Sequence, residues 1–227
     1  MLGLSLSELS LCCIMTILIT AGPTREAIDP VRYLTNRSSG KMGYALAEAA
    51  QAGGHRVILI SGPTQVDVPD GIDFIPIESA ADMYQAVSHW IKKADIAIFA
   101  AAVADYRPAH VSEQKIKKNG ETLTLELVRT PDILASARKE FEFSGTLVGF
   151  AAETENVEEN ALGKLERKGC DLVIANDVSR ADIGFDSAEN EVTLVYPDRV
   201  APFPKGSKQH LAHQLVDAIM KLAKPTS

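Results

Sequence analysis

The chain has 227 residues and a mass of 24.5 kDa, enough for one domain with a sizeable core, and its 46% hydrophobic and 23% charged residues exclude low-complexity and collagen-like chains. Its 23 Lys plus Arg stand against 30 Asp plus Glu, a net charge of -7. That balance argues against broad binding to nucleic acid or an anionic membrane, so any anionic ligand must be met by a local basic pocket. Cys12, Cys13 and Cys170 have neither a disulfide framework nor metal-ligand spacing, and a reducing, cytoplasmic setting is expected.

Residues 1–14 are apolar but contain Glu8, and no Lys or Arg precedes Arg25. They fit neither a signal peptide nor a membrane span and are expected to be an appendage to a domain over 15–227. Near-continuous apolar runs then mark strands at Ile17–Thr20, Arg56–Ile60, Phe74–Ile77, Ile96–Ala101, Thr146–Phe150 and Asp171–Ala175, the pattern of strands buried on both faces of a parallel sheet. Between them, Met42, Ala45, Leu46, Ala49 and Ala50 form one helical stripe, and Met83, Ala86, Val87, Trp90 and Ile91 form another, opened by a Ser79–Asp82 capping box. Thr130-Pro131-Asp132 reads as a cap followed by proline at the first helical position, Asn156 with Glu159 opens a further helix, and a last one runs from about Lys208 to Leu222. The expected fold is α/β, a doubly wound and mostly parallel Rossmann-like sheet with ligands at the carboxyl ends of its strands. Asn119-Gly120 between two alternating stretches predicts a projecting β-hairpin over about 113–128.

Ala21-Gly22-Pro23-Thr24 follows the first strand without Gly-x-Gly-x-x-Gly, which counts against a nicotinamide cofactor. Asn36-Arg37-Ser38-Ser39-Gly40-Lys41-Met42-Gly43 is not a Walker motif, but hydroxyls, glycines and free N–H groups at a helix start favour an anion. The alternative is an ordinary serine cap with glycines for close packing. After a buried strand, Ala100, Ala101 and Asp105 would let a flat ligand approach the backbone and offer an acceptor to a sugar or a site for Mg²⁺, the alternative being tight packing with an acid in a turn. Lys164 and Lys168 lie one helical turn apart, where like charges repel by about 0.2–0.5 kcal/mol; a polyphosphate would reverse that sign, and a solvated helix face is the alternative. Lys115, Lys117 and Lys118 crowd the hairpin, either as an edge-protecting charge run or as ligand contacts. The five histidines make no His-Glu-x-x-His site and there is no Gly-x-Ser-x-Gly elbow.

In order along the chain, Ile19-Thr-Ala-Gly-Pro-Thr-Arg-Glu, Asp29-Pro-Val-Arg, Asn36-Arg-Ser-Ser-Gly-Lys-Met-Gly, Ala101-Ala-Val-Ala-Asp-Tyr-Arg, Lys115-Ile-Lys-Lys, Gly149-Phe-Ala-Ala-Glu-Thr and Ala175-Asn-Asp-Val closely resemble bacterial phosphopantothenate-cysteine ligase. The resemblance covers about Thr16 to the last helix, without the flavin-dependent decarboxylase often fused ahead of the ligase, so a stand-alone or excised form is expected. It implies coenzyme A precursor synthesis: the 4'-phosphopantothenate carboxylate attacks the α-phosphate of CTP, and L-cysteine then captures the acyl-cytidylate. By position, Lys115 and Asn36 match the family's catalytic lysine and asparagine. The nucleotide contacts fall on Phe99, Ala100, Ala101, Asp105, Lys115, Pro131, Asp132, Ile133, Leu134, Phe150, Lys164 and Lys168. Gly22, Ser38, Ser39 and Gly40 are expected around the phosphate and acyl intermediate, with Arg25, Arg32 and Arg37 as candidate phosphate ligands. The resemblance further implies Mg²⁺, whose ligands stay unassigned, and a homodimer in which the hairpin arm completes the neighbouring site. A nicotinamide-dependent reductase and a nucleotide-sensing binding protein are the alternatives.

Overall fold

A computed structural model describes residues 14–118, 120–177 and 189–223; residues 1–13 of the expected 1–14 appendage and the turn residue Asn119 lie outside that range. The chain runs β1 (Thr16–Ala21), β2 (Arg25–Asp29), β3 (Arg32–Thr35), α1 (Lys41–Ala52), β4 (Arg56–Ser61), β5 (Asp73–Pro76), α2 (Ala80–Trp90), β6 (Ile96–Phe99), β7 (Tyr106–Pro108) and β8 (Leu127–Arg129). It continues through α3 (Ile133–Lys139), β9 (Thr146–Glu153), α4 (Val157–Lys168), β10 (Leu172–Asp177), β11 (Glu189–Val195), β12 (Val200–Ser207) and α5 (Lys208–Met220).

The main sheet has the order β12-β11-β10-β9-β6-β1-β4-β5. Its pairs from β5 through β10 are parallel, and β11 and β12 add an antiparallel edge. Alternate side chains of the same strands feed two cores. Ile17, Ile19, Leu59 and Ile98 pack under α1 and α5, while Leu18, Ile58, Ala97 and Leu147 pack under α2, α3 and α4. Every one of these is buried, so truncating one, as in Leu147→Ala, costs about 2–5 kcal/mol. From β1 the chain moves to β4 on one side and returns to β6 on the other. The carboxyl ends of β1 and β6 therefore flank a topological switch point, where a crevice opens.

The expected α/β architecture is present, with three local differences. The antiparallel pair seen among the described residues of the excursion lies at its base, Tyr106–Pro108 with Leu127–Arg129. Residues 115–118 and 122–126 carry no strand, so Lys115 and Lys117 gain no shared face from strand alternation. Most of this charged segment is exposed, and a two-stranded ribbon with no apolar face to bury is marginal alone. Before α3 the cap is Asp132, whose Oδ1 accepts the Ala135 N–H at 3.0 Å, whereas Thr130 donates its hydroxyl to the Ala104 carbonyl. Before α4, Asn156 holds the cap position with φ 47° and makes no side-chain cap.

Candidate active site

The switch point supports two adjoining cavities. One, of about 480 Å³, is lined by Phe99, Ala101, Asp105, Pro131 to Leu134, Phe150, Lys164 and Lys168, with Thr20, Val103, Tyr106, Arg129 and Thr130. The other, of about 490 Å³, holds Asn36 to Gly43, Ala100 to Val103, Phe150 to Ala152, Asn176, Asn190 and Lys208. Ala101, Val103, Asp105, Phe150 and Lys164 belong to both and form the shared wall.

Local chemistry explains how these residues arrive there. Beyond β6 the chain is anchored to β1: Ala100 N–H donates to the Thr20 carbonyl at 3.1 Å, Ala102 N–H to the Gly22 carbonyl at 2.9 Å, and Thr24 N–H to the Ala102 carbonyl at 3.3 Å. Buried Thr24 accepts the Ala104 N–H at 3.0 Å. These bonds satisfy the loop's backbone groups and hold its small residues against the crevice. Asn36 Nδ2 donates to the Val103 carbonyl at 3.0 Å and the Ala102 carbonyl at 3.4 Å, which leaves its amide oxygen for a ligand's donor. Gly40, at φ +75°, opens α1 with no side-chain cap. A Cβ there would come within 2.6 Å of Thr64 Cγ2 and 3.3 Å of Gly22 Cα, so glycine serves both the left-handed turn and the close approach. Gly22 thus stands behind the cavity wall and does not line it. The serine half of the capping alternative is not met, since α1 has no side-chain cap at Gly40 and Ser38 Oγ accepts the Gly40 N–H, whereas its close-packing half holds at Gly40 and at Gly43, where a Cβ would lie 2.6 Å from Ala21 Cβ.

The lysine pair on α4 has partners. Lys164 Nζ donates to the Phe150 carbonyl at 2.5 Å, and Lys168 is paired with Asp132. Burial is the largest influence on Lys164 and pushes its pKa down, against the opposing pull of Glu153. For Asp132, burial pushes upward, but the bonds from Lys168 and the Ala135 N–H outweigh it and hold the carboxyl below its ordinary value. A polyanionic ligand would stabilise the partly desolvated Lys164 ammonium, while the ionised Asp132 competes with it for Lys168.

Lys115 is not brought to either cavity of its own chain. With Arg32, Lys117 and Lys118 it lines a separate surface cavity of about 680 Å³. Arg25 stacks over Tyr33 at 4.6 Å and shares a further pocket with Arg37. Asn190 and Lys208 lie on segments with no chemical signal in the sequence. Asn176, whose Oδ1 is buried with no hydrogen-bond partner among the described residues, was marked only by its Ala-Asn-Asp-Val context at a strand end. Among the described residues no cluster of three His, Cys, Asp or Glu side chains is placed to hold a metal, and no helix is long and apolar enough to cross a membrane.

A sheet of this order with cavities at its switch point defines a doubly wound α/β ligand-binding domain. Residues 14–222 match the family described as DNA/pantothenate metabolism flavoprotein C-terminal domain, and the chain belongs to that family. It is 50% identical over 209 residues to the coenzyme A biosynthesis bifunctional protein CoaBC of Vibrio vulnificus, covering 91% of this chain and 52% of that protein. With CoaBC of Bacillus subtilis it shares 49% over 212 residues, covering 92% and 52%. It thus spans about half the length of these relatives. The crystal structure of a CoaBC C-terminal domain superposes with a TM-score of 0.78 at 42% identity, over 92% of this chain and 95% of that one.

Proposed function

We propose that the chain joins 4'-phosphopantothenate to L-cysteine through an acyl-cytidylate made from CTP. The observation that carries this reading is the wall shared by the two cavities. The cavity at α3 and α4 offers Lys164, Lys168 and an apolar Phe150 face, which suits a nucleoside triphosphate. The cavity at α1 offers Asn36, Ser38, Ser39 and uncapped helix amides, which suit a phosphorylated acid. Carboxylate and α-phosphate would meet at the residues the two cavities have in common.

In the first step a carboxylate oxygen attacks the α-phosphorus and the bond to the bridging oxygen breaks, releasing pyrophosphate. In the second, the cysteine amine attacks the acyl carbon, its proton passes to solvent, and CMP leaves. Lys164 and Lys168 neutralise charge on the phosphates, and the Asn36 oxygen accepts from the attacking amine. Lys115 reaches the phosphates from a second copy of the chain, so the active form is a homodimer whose excursions complete each other's sites. Exposed Asp105, at the shared wall, fits a Mg²⁺ held mainly by phosphates and water, which would supply further charge neutralisation. A cytoplasmic setting belongs to the same reading.

The test supplies CTP, 4'-phosphopantothenate, cysteine and Mg²⁺ and follows pyrophosphate and amide. Lys115→Gln is expected to abolish pyrophosphate release. Asn36→Asp is expected to form the acyl-cytidylate and capture it slowly. Binding of CTP with no pyrophosphate released would favour a nucleotide-sensing protein instead.

A further inference from the structure

The turn between β2 and β3 and the lysine-rich excursion are 87 residues apart in sequence, yet one carboxylate joins them. Asp29 ends β2 with its side chain wholly buried. Its Oδ1 accepts the Val31 N–H at 2.9 Å. Its Oδ2 accepts Arg32 Nε at 3.0 Å and the Ile116 N–H at 3.1 Å. Arg32 Nη2 also reaches Asp29 and donates to the Ile116 carbonyl at 2.8 Å. Both polar backbone groups of Ile116 are therefore held by the Asp29–Arg32 pair. Nearby, the Ser112 N–H donates to the Ile28 carbonyl at 3.0 Å.

This matters because the segment has no ladder of its own. Lys115, Lys117 and Lys118 flank the held residue, and their mutual repulsion, with Arg32 beside them, would splay an irregular loop. A buried carboxylate at its base opposes that repulsion and fixes the backbone. Arg32 and the Val31 and Ile116 amides hold Asp29 well below the usual carboxylate range, against the burial that pushes it up, so it stays charged wherever the protein is folded at ordinary pH.

We propose that Asp29 is a positioning residue for Lys115, acting with Arg32 through the backbone of Ile116 to fix the point from which the lysine projects. The proposal rests on the role given to Lys115 above. It assigns a task to Asp29-Pro-Val-Arg32, which touches neither of the two cavities at the switch point.

Asp29→Asn keeps an acceptor for the Val31 N–H and turns the other oxygen into a donor facing three donors, Arg32 Nε, Arg32 Nη2 and the Ile116 N–H. In single-turnover assays without cysteine it should slow pyrophosphate release roughly tenfold to a hundredfold, the scale expected when a charged group is displaced by about an ångström. Cysteine added to enzyme already loaded with acyl-cytidylate should then give product at the wild-type rate. A merely structural role would slow both halves alike or lower the unfolding midpoint in proportion, and either result overturns the proposal. Should Asp29→Asn not fold, Arg32→Lys, which keeps an ion pair but loses the link to the Ile116 carbonyl, must give the same selective loss; if it does not, or does not fold either, the proposal is overturned. Loss of pyrophosphate release in Lys115→Gln alone, with Asp29→Asn and Arg32→Lys intact, would remove the clamp and leave the ligase reading standing. No release by the wild-type protein would remove both.

Discussion

Replacing Lys164 by Met should weaken CTP binding while leaving the empty protein at least as stable. The ammonium sits in the wall common to both cavities and donates to the Phe150 carbonyl at 2.5 Å. Burial lowers its pKa, so the charged form costs free energy in the empty site, and a thioether of similar length removes that cost. A triphosphate reverses the balance. A charge-assisted hydrogen bond is worth about 1.5–3 kcal/mol, so losing it should raise the dissociation constant by roughly ten- to 150-fold. Linkage supplies the pH dependence. With the folded pKa below the unfolded one, the unfolded chain holds more protons between the two values, and stability rises with pH across that window. The penalty is fully present below the folded pKa and is relieved above it. CTP favours the ammonium, so binding takes up protons, and affinity falls as pH rises through the lowered pKa. Titration calorimetry in two buffers of different ionisation enthalpy reads affinity and proton uptake, and thermal unfolding reads stability. An unchanged CTP affinity, or a variant melting well below wild type, would refute the reasoning and make Lys164 a strut.

Gly43→Ala would place a Cβ 2.6 Å from Ala21 Cβ and 3.2 Å from Ala21 Cα, forcing α1 off β1 at a cost of about 1–3 kcal/mol; the urea midpoint should fall and CTP turnover with it, since the same turn of α1 carries the Asn36–Gly43 cavity. Ser79→Ala removes one half of the capping box that starts α2 and should cost about 1 kcal/mol in chemical denaturation without altering turnover, because α2 lines neither cavity. Burial pushes the Cys170 thiol up to about 11, so at pH 8 its thiolate is roughly a hundredfold scarcer than that of an ordinary thiol; peptide mapping after iodoacetamide should find Cys170 unlabelled in the native protein and labelled in urea.

The parallel sheet was legible because strands buried on both faces leave a plain trace: Ile17–Thr20 and Arg56–Ile60 fall within the observed strands, and the expected Ile96–Ala101 strand is observed over Ile96–Phe99. The edge pair β11–β12 was not, since Glu189–Val195 is half polar and Val200–Ser207 carries Pro202, Pro204 and Gly206, marks that elsewhere read as loop. The β2–β3 hairpin was hidden for another reason. Glu26 looks like a surface acid, yet it is buried with Oε1 accepting the Ala80 N–H at 2.8 Å, a bond that no local spacing announces. The same limit applies in the site: Phe150 and Lys164 were visible as a strand end and a helical ladder, whereas Lys208 and Asn190 enter the second cavity only because α5 and β11 pack there. Spacing along the chain shows Lys164 and Lys168 only as neighbouring like charges. Asp132, 36 residues away, supplies a counter-ion that sequence spacing along α4 could not reveal.

On the proposed reading, an acidic chain that holds Lys164 and Lys168 for a polyanion would face an electrostatic cost before the ligand arrives, and their surroundings lower it. Lys164 and Lys168 lie in the last turns of α4, which ends at Gly169 in the left-handed conformation with φ 64°. The negative end of the helix dipole favours Lys168, in the last turn, by about 0.3–1 kcal/mol, which offsets the pair's mutual repulsion of about 0.2–0.5 kcal/mol. Asp132 adds a second counter-charge and caps α3 with its other oxygen, so the residue that holds Lys168 also sets the helix lining the opposite wall. A triphosphate entering between them must compete with Asp132 for Lys168 and need not for Lys164, whose partner is a neutral carbonyl. Asp132→Asn tests this order directly: it keeps the cap, releases Lys168, and should tighten CTP binding, with a steeper salt dependence as the second cation becomes fully available. Weaker binding, with the α3 cap intact by unfolding midpoint, would mean that Asp132 orients Lys168 toward the nucleotide and does not restrain it.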